Sequence, residues 1–281
     1  MANILVPFDF SANAIGALDQ AIYLAKGKGL TIEVLHILNL KAAQDYPADW
    51  NIDPHHVNLA AIEDRLAAIT KERCEMHCSE GHPLISSTVR ESVMINGGII
   101  NHMLENKADL IVMGTHGASN AIERFWGSNT STIINHSLFP VMAVPRDWHA
   151  VELEELIAAI SLKEAKSALP RLIEWGKWMN AKLEVISLTS VPETDQEQLE
   201  AVIAEYPEIA GRLIPKKNDL PLWKNIVNVT ADHKKAALVM FVHERTVFDK
   251  LFDYSITSKV ADGIRIPLLA IPITKKSAAK R

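Results

Sequence analysis

The sequence predicts an α/β protein of two tandem, doubly wound domains, each a parallel five-stranded sheet with helices on both faces. Short apolar runs rich in β-branched residues alternate with helical patterns along the chain, the order that covers a parallel sheet on both sides. The apolar landmarks of the first half recur in the second half. A length of 281 residues suits one large domain or two of ordinary size.

In the first half, a strand at Asn3–Pro7 leads into a helix from about Ser11 to Lys28. A second strand follows at Thr31–Leu38. A loop rich in Pro, Asp and His (Lys41–His56) precedes a long helix over Val57–Ser79 and a strand at Leu84–Glu91. The third helix covers Asn96–Lys107. The run Ala108–Met113 is apolar, short and bounded by a glycine, the pattern of a strand buried on both faces. Pro140–Pro145 closes the unit as a strand framed by prolines, an edge signal because the missing N–H is tolerated there.

The second copy starts after a junction at Arg146–Glu155. Leu156–Leu169 aligns with the opening segment, setting Ala159 against Pro7 and Ser161 against Asp9. Leu183–Leu188 matches the second strand with Ser187 in the place of His36, Ala237–Val242 matches the fourth, and Pro267–Pro272 matches the fifth. About 23 residues are missing from the middle of this copy, a loss assigned to its second helix and flanking loops. The predicted domains are 1–147 and 152–274, followed by a disordered basic tail at 275–281.

Composition excludes several classes. The net charge of -5 leaves no basic footprint, so no nucleic-acid partner is expected. No apolar run reaches the roughly 18 to 20 residues of a membrane span, and the first residues enter a strand without the features of a signal peptide. Two cysteines make no secretory disulfide framework. A cytoplasmic protein without a membrane partner is the expectation.

The stretch from Gly114 to Thr130 carries the chemistry. Gly114, Gly117 and Gly127 follow an apolar strand, and Ser128, Asn129 and Thr130 follow the last glycine. Glycine permits positive φ and close approach of a ligand to the backbone. Ser128 has the character of an N-cap, and the unpaired amides of a helix start form an anion site. His116 lies within the turn, and Arg124 carries a guanidinium suited to a phosphate. No residue is assigned as catalytic, because no motif sets a general base beside this turn. A P-loop is absent as well.

These residues resemble the universal stress protein family, whose nucleotide-binding members carry G-x2-G-x9-G-[ST] after the fourth strand. Gly114, Gly117, Gly127 and Ser128 match that pattern without a gap. The opening Ile4–Leu18 is similar to the family's first strand, Pro, Asp, Ser and first helix. The resemblance implies a Rossmann-like fold and an ATP site in the first domain, with ADP or AMP as alternatives and Mg2+ carried by the phosphates. It assigns the base to Asp9, with Phe8 and Pro7 beside it, and to the backbone of Ile37. The remaining contacts fall to Met113, Gly114, Thr115, His116, Gly117, Arg124, Gly127, Ser128, Asn129 and Thr130. It further implies a stress-response role and pairing of the two proline-framed strands as an intramolecular pseudo-dimer, with a homodimer of whole chains also open.

The second copy has lost the motif. Aligned on the closing prolines, Gly114 faces Val242, Gly117 faces Arg245, Gly127 faces Tyr254, and only Ser255 is kept opposite Ser128. The first domain is therefore expected to bind a nucleotide and the second not to bind it in this manner. Three functional readings stay open: a nucleotide-gated regulatory module with an unidentified protein partner, a weak ATPase, and a zinc-binding or other ligand-binding scaffold. The last rests on Cys74, His77 and Cys78 on one helical face and His82 beyond Gly81, and on Trp175, Trp178 and Trp223 in the second copy. Buried cysteines without metal and core tryptophans are the expectation for these groups.

Overall fold

The computed structural model describes residues 3–39, 59–78, 81–115, 130, 132–134, 138–217, 219–243 and 264–273. The chain divides into two compact units, Met1–Ala150 and Val151–Arg281.

The first unit contains β1 (Asn3–Pro7), α1 (Ala12–Ala25), β2 (Thr31–Leu38), α2 (Leu59–His77), β3 (Leu84–Glu91), α3 (Ile95–Asn106), β4 (Leu110–Gly114) and β5 (Val141–Val144). Its strands are ordered β3-β2-β1-β4-β5, and the pairs are parallel. Ile4, Leu5 and Val6 are fully buried at the centre, as are Leu110, Ile111 and Val112 beside them. Burial of this kind contributes about 1.5–3 kcal/mol per large side chain. It explains why both runs read as continuously apolar rather than alternating.

Helix α1 starts where Ser11 adopts an extended conformation and its Oγ accepts from the Ala14 amide at 3.2 Å. This N-cap satisfies one of the amides that a helix start leaves without a partner. Between α1 and α2 lies a polar cluster. Arg73 of α2 donates from Nε and Nη2 to the two carboxylate oxygens of Asp19 at 2.7 and 2.5 Å. His77 Nε2 lies 3.1 Å from the same carboxylate, and its ring packs against Tyr23. The hydrogen bond to Asp19 holds the Arg73 guanidinium above its ordinary pKa. A two-pronged guanidinium–carboxylate pair sets orientation as well as charge.

The second unit contains β6 (Glu155–Ala159), α4 (Ala165–Met179), β7 (Lys182–Thr189), α5 (Pro192–Glu205), β8 (Ile209–Pro215), α6 (Leu222–Thr230), β9 (Ala236–His243) and β10 (Leu268–Ile273). Its order is β10-β9-β6-β7-β8, again parallel. The shortening falls mainly in one connection: residues 39–58 separate β2 from α2, but only 190–191 separate β7 from α5. The second helix itself is reduced only from 19 residues to 14. Trp175 and Trp178 meet edge to face at 5.0 Å; with Trp223 they are half-buried rather than enclosed in the core. No helix among the described residues is long and apolar enough to cross a membrane.

Candidate functional site

The first unit has one topological switch point, between β1 and β4, where the chain builds outward in opposite directions. Ligands of open α/β sheets bind in the crevice outside the carboxyl ends of the strands at such a point. The register brings the ends of β2, β1 and β4 to one edge, with Pro7 beside Leu35 and Leu5 beside Ile111. Pro7, Phe8, Asp9, Ile37, Met113, Gly114 and Thr115 all lie at this edge. His116, Gly117, Arg124, Gly127, Ser128 and Asn129 lie outside the described residues, whereas Thr130 is described and buried.

Beyond β1 the backbone makes a tight turn. Phe8 is buried and donates its amide to the Leu35 carbonyl at 2.8 Å. Asp9 is exposed, and its Oδ1 accepts from the Ser11 amide at 3.1 Å and from the Ser11 hydroxyl at 2.6 Å. The Asp9 carboxylate is thus oriented by the N-cap of α1. Between them Phe10 takes φ 63, a left-handed conformation uncommon for a bulky residue. Such conformations cost on the order of 1–3 kcal/mol and persist where the surroundings over-determine them.

The surroundings of Phe10 are aromatic and cationic. Its ring meets Phe8 at 5.3 Å and His36 at 4.9 Å, both edge to face, and the Arg65 guanidinium of α2 lies 5.9 Å from its centre. His36 is buried, with Nδ1 2.7 Å from the Phe8 carbonyl, so Nδ1 carries the proton. Burial lowers the His36 pKa below 6.5, and the Phe8 bond and Asp9 offset only part of that shift. The neutral imidazole therefore acts as a strut between β2 and the turn after β1. Phe10 and Arg65 were missed by sequence reasoning. Arg65 sits among Glu63 and Asp64 on a polar helix face, and nothing in the spacing reveals which neighbour that face meets.

Gly114 corrects one expectation. It is not among the residues with positive φ. A Cβ at this position would stand 2.7 Å from the Asn13 carbonyl oxygen and 2.9 Å from the Asn13 carbonyl carbon. Glycine is required because the first turn of α1 passes directly over the end of β4, a close approach that no side chain permits. Just beyond, the Thr115 amide donates to Val144 at 3.0 Å, and the Thr130 hydroxyl donates to the Gly114 carbonyl at 2.8 Å.

Register also corrects the alignment of the two copies. Gly114 pairs with Val144 in β5, and Val144 corresponds to Ile271, whose partner in β9 is Phe241. The β1–β4 and β6–β9 pairings give the same offset. Phe241, rather than Val242, therefore occupies the position of Gly114. Ser161 stands at the position of Asp9, where the chain enters a 3-10 turn, Leu162–Glu164, before α4 begins. Arg245, Tyr254 and Ser255 lie outside the described residues.

Comparison with known proteins agrees with this architecture. The family model described as universal stress protein family matches residues 1–145. A universal stress protein from Archaeoglobus fulgidus DSM 4304 is 17% identical, with 96% of this chain and 98% of that chain covered and a TM-score of 0.66. A functionally unknown protein from Pseudomonas aeruginosa PAO1 is 15% identical over 97% and 92% of the chains, with a TM-score of 0.65. The cytoplasmic domain of a prokaryotic cation chloride cotransporter is 12% identical over 96% and 94%, with a TM-score of 0.51. No curated protein sequence matches the chain. These likenesses concern the fold, but the family match extends over more than half of the 281 residues. The chain belongs to the universal stress protein family.

Proposed function

We propose that the first unit binds one adenine nucleotide, ATP foremost with ADP or AMP as alternatives, across the carboxyl ends of β1 and β4. The observation that carries this reading is the juxtaposition of Asp9 and Gly114–Thr115 on either side of the switch point. An exposed carboxylate beside Phe8 and Phe10 suits a purine, which needs both a hydrogen-bond acceptor and an apolar face. The phosphates would lie toward the segment between Gly114 and Thr130, whose glycines and hydroxyls suit an anion. Mg2+ would travel with the phosphates.

The second unit is proposed not to share this site. Phe241 and Ser161 replace the glycine and the carboxylate, removing a small residue at the strand end and the acceptor for the base.

The role we infer is regulatory: occupancy of the first unit is read by a protein partner during a stress response. Among the described residues at this edge the one imidazole is that of His36, which is buried and bonded to the Phe8 carbonyl, an arrangement suited to support rather than proton transfer.

Calorimetric titration of the full chain with ATP, ADP and AMP tests the reading. A single site per chain is expected, with affinity reduced at least about tenfold in Asp9→Ala and turnover well below roughly 1 per second. Two equivalent sites, or unchanged affinity in both Asp9→Ala and Gly127→Val, would overturn it.

A further inference from the structure

A second cluster, at the end of α2, shares no residue with the nucleotide site proposed above. Cys74, Cys78 and His82 each offer one metal-ligating atom, and these atoms lie within 4.8 Å of one another. Cys74 Sγ and His82 Nδ1 are 3.4 Å apart. Ligands about 2.0–2.3 Å from a tetrahedral zinc ion are separated by about 3.5 Å, so the Cys74–His82 pair already has the spacing and the third atom, within 4.8 Å of both, needs at most a small shift.

The chain is arranged to bring His82 to the cysteines. Helical bonding continues to Cys78, whose amide donates to the Cys74 carbonyl at 3.0 Å, setting both sulfurs on one face. Gly81, at φ 68, then takes a left-handed conformation open to glycine, and His82 follows beside Cys74. His77, which the sequence groups with the cysteines, is engaged elsewhere: its Nε2 lies 3.1 Å from Asp19 on α1. The Cys-x3-Cys-x3-His spacing, rather than the Cys-x2-His-Cys run, is the one that converges.

Beside Cys74 and His82 lies a cleft of about 330 Å³ lined by Thr70, Lys71, Glu75 and Ser87. It has room for a water or a small anion as a fourth ligand. Both cysteines are free thiols, Cys78 buried and Cys74 half-buried. Two thiolates and one neutral imidazole balance the charge of a divalent ion, and this mixed soft and borderline donor set favours zinc over magnesium or calcium.

We propose that Cys74, Cys78 and His82 form a zinc site with three protein ligands and an open fourth position, fastening the end of α2 to the segment that enters β3. On binding, the two thiols release their protons to solvent as the two Zn–S bonds form.

The test uses the full chain without a histidine tag, reduced under anaerobic conditions and dialysed after addition of zinc chloride. One zinc per chain is expected to remain, and Co2+ in its place should show thiolate-to-metal charge-transfer absorption. Cys74→Ser, Cys78→Ser and His82→Ala should each weaken zinc binding at least about tenfold, while His77→Gln retains it. Circular dichroism checks that the variants fold. In the unaltered protein, zinc should protect both thiols from alkylation, a readout that needs no variant. Absence of retained zinc, a cobalt spectrum without thiolate bands, dependence on His77 instead of His82, or a Cys74–Cys78 disulfide that takes up no metal after reduction would each overturn the proposal.

Discussion

The hydroxyl of Thr130 donates to the carbonyl of Gly114 at 2.8 Å, joining two residues sixteen positions apart at the two ends of the glycine-rich segment. Thr130 is buried and Gly114 half-buried, so the bond is partly shielded from water. Thr130→Val keeps the shape and leaves the Gly114 carbonyl without this donor, a change that costs about 1–2 kcal/mol. Denaturant unfolding should record that loss. Under the proposed function, affinity for ATP should fall as well, because the closing end of the segment is no longer tied to β4.

Gly114→Ala tests the close approach of α1 to β4. The added methyl would stand 2.7 Å from the Asn13 carbonyl oxygen, a backbone atom that cannot rotate away. The first turn of α1 must shift, and overpacking of this kind costs about 1–3 kcal/mol. A lowered melting temperature by calorimetry is expected even without nucleotide. A fully stable Gly114→Ala protein would show that the helix start yields easily.

The Asp19–Arg73 pair predicts strong coupling between α1 and α2. Removing one partner of a largely enclosed pair leaves the other charge uncompensated, at a cost of about 3 kcal/mol. Asp19→Ala and Arg73→Ala should each show this in urea titration. The double variant should lose clearly less than the two single effects combined, because one interaction is being removed twice.

His36 predicts a pH dependence of stability. Its folded pKa lies below 6.5, so the unfolded chain takes up a proton first as the pH falls. Stability from the neutral imidazole is complete above about pH 6.5 and declines below it until the folded protein is protonated too, with a slope of at most about 1.4 kcal/mol per pH unit. His36→Gln should remove this component and flatten the decline below about pH 6.5. An equal slope in both proteins would assign the acid sensitivity to other groups.

Strand bounds were legible to within about two residues, as where the expected Ala108–Met113 became β4 at Leu110–Gly114. Thr31–Leu38 and Leu84–Glu91 coincide with β2 and β3. The start of the first helix was legible at about Ser11, which the structure makes its N-cap. The alignment of Gly114 with Val242 was off by one residue, because a run such as Ala236–Val242 is apolar at every position and carries no periodicity to fix its phase. Hydrogen-bond register supplies that phase, through the pairing of Phe241 with Ile271. The reason for Gly114 was also hidden, since its neighbour Asn13 lies about a hundred residues earlier in the chain.

By itself, then, the sequence determined the α/β class, the doubling of the unit, the family resemblance and the residue types available to an anion. Tertiary structure alone decided which of them meet: Asp9 held by Ser11, Phe10 between His36 and Arg65, and Gly114 beneath the first turn of α1. It likewise decided that His82, not His77, joins the two cysteines. The physical reason is the same throughout. Local pattern encodes periodicity and capping, which act within a few residues, whereas contacts across strands and between helices depend on register and on which way each helix face turns.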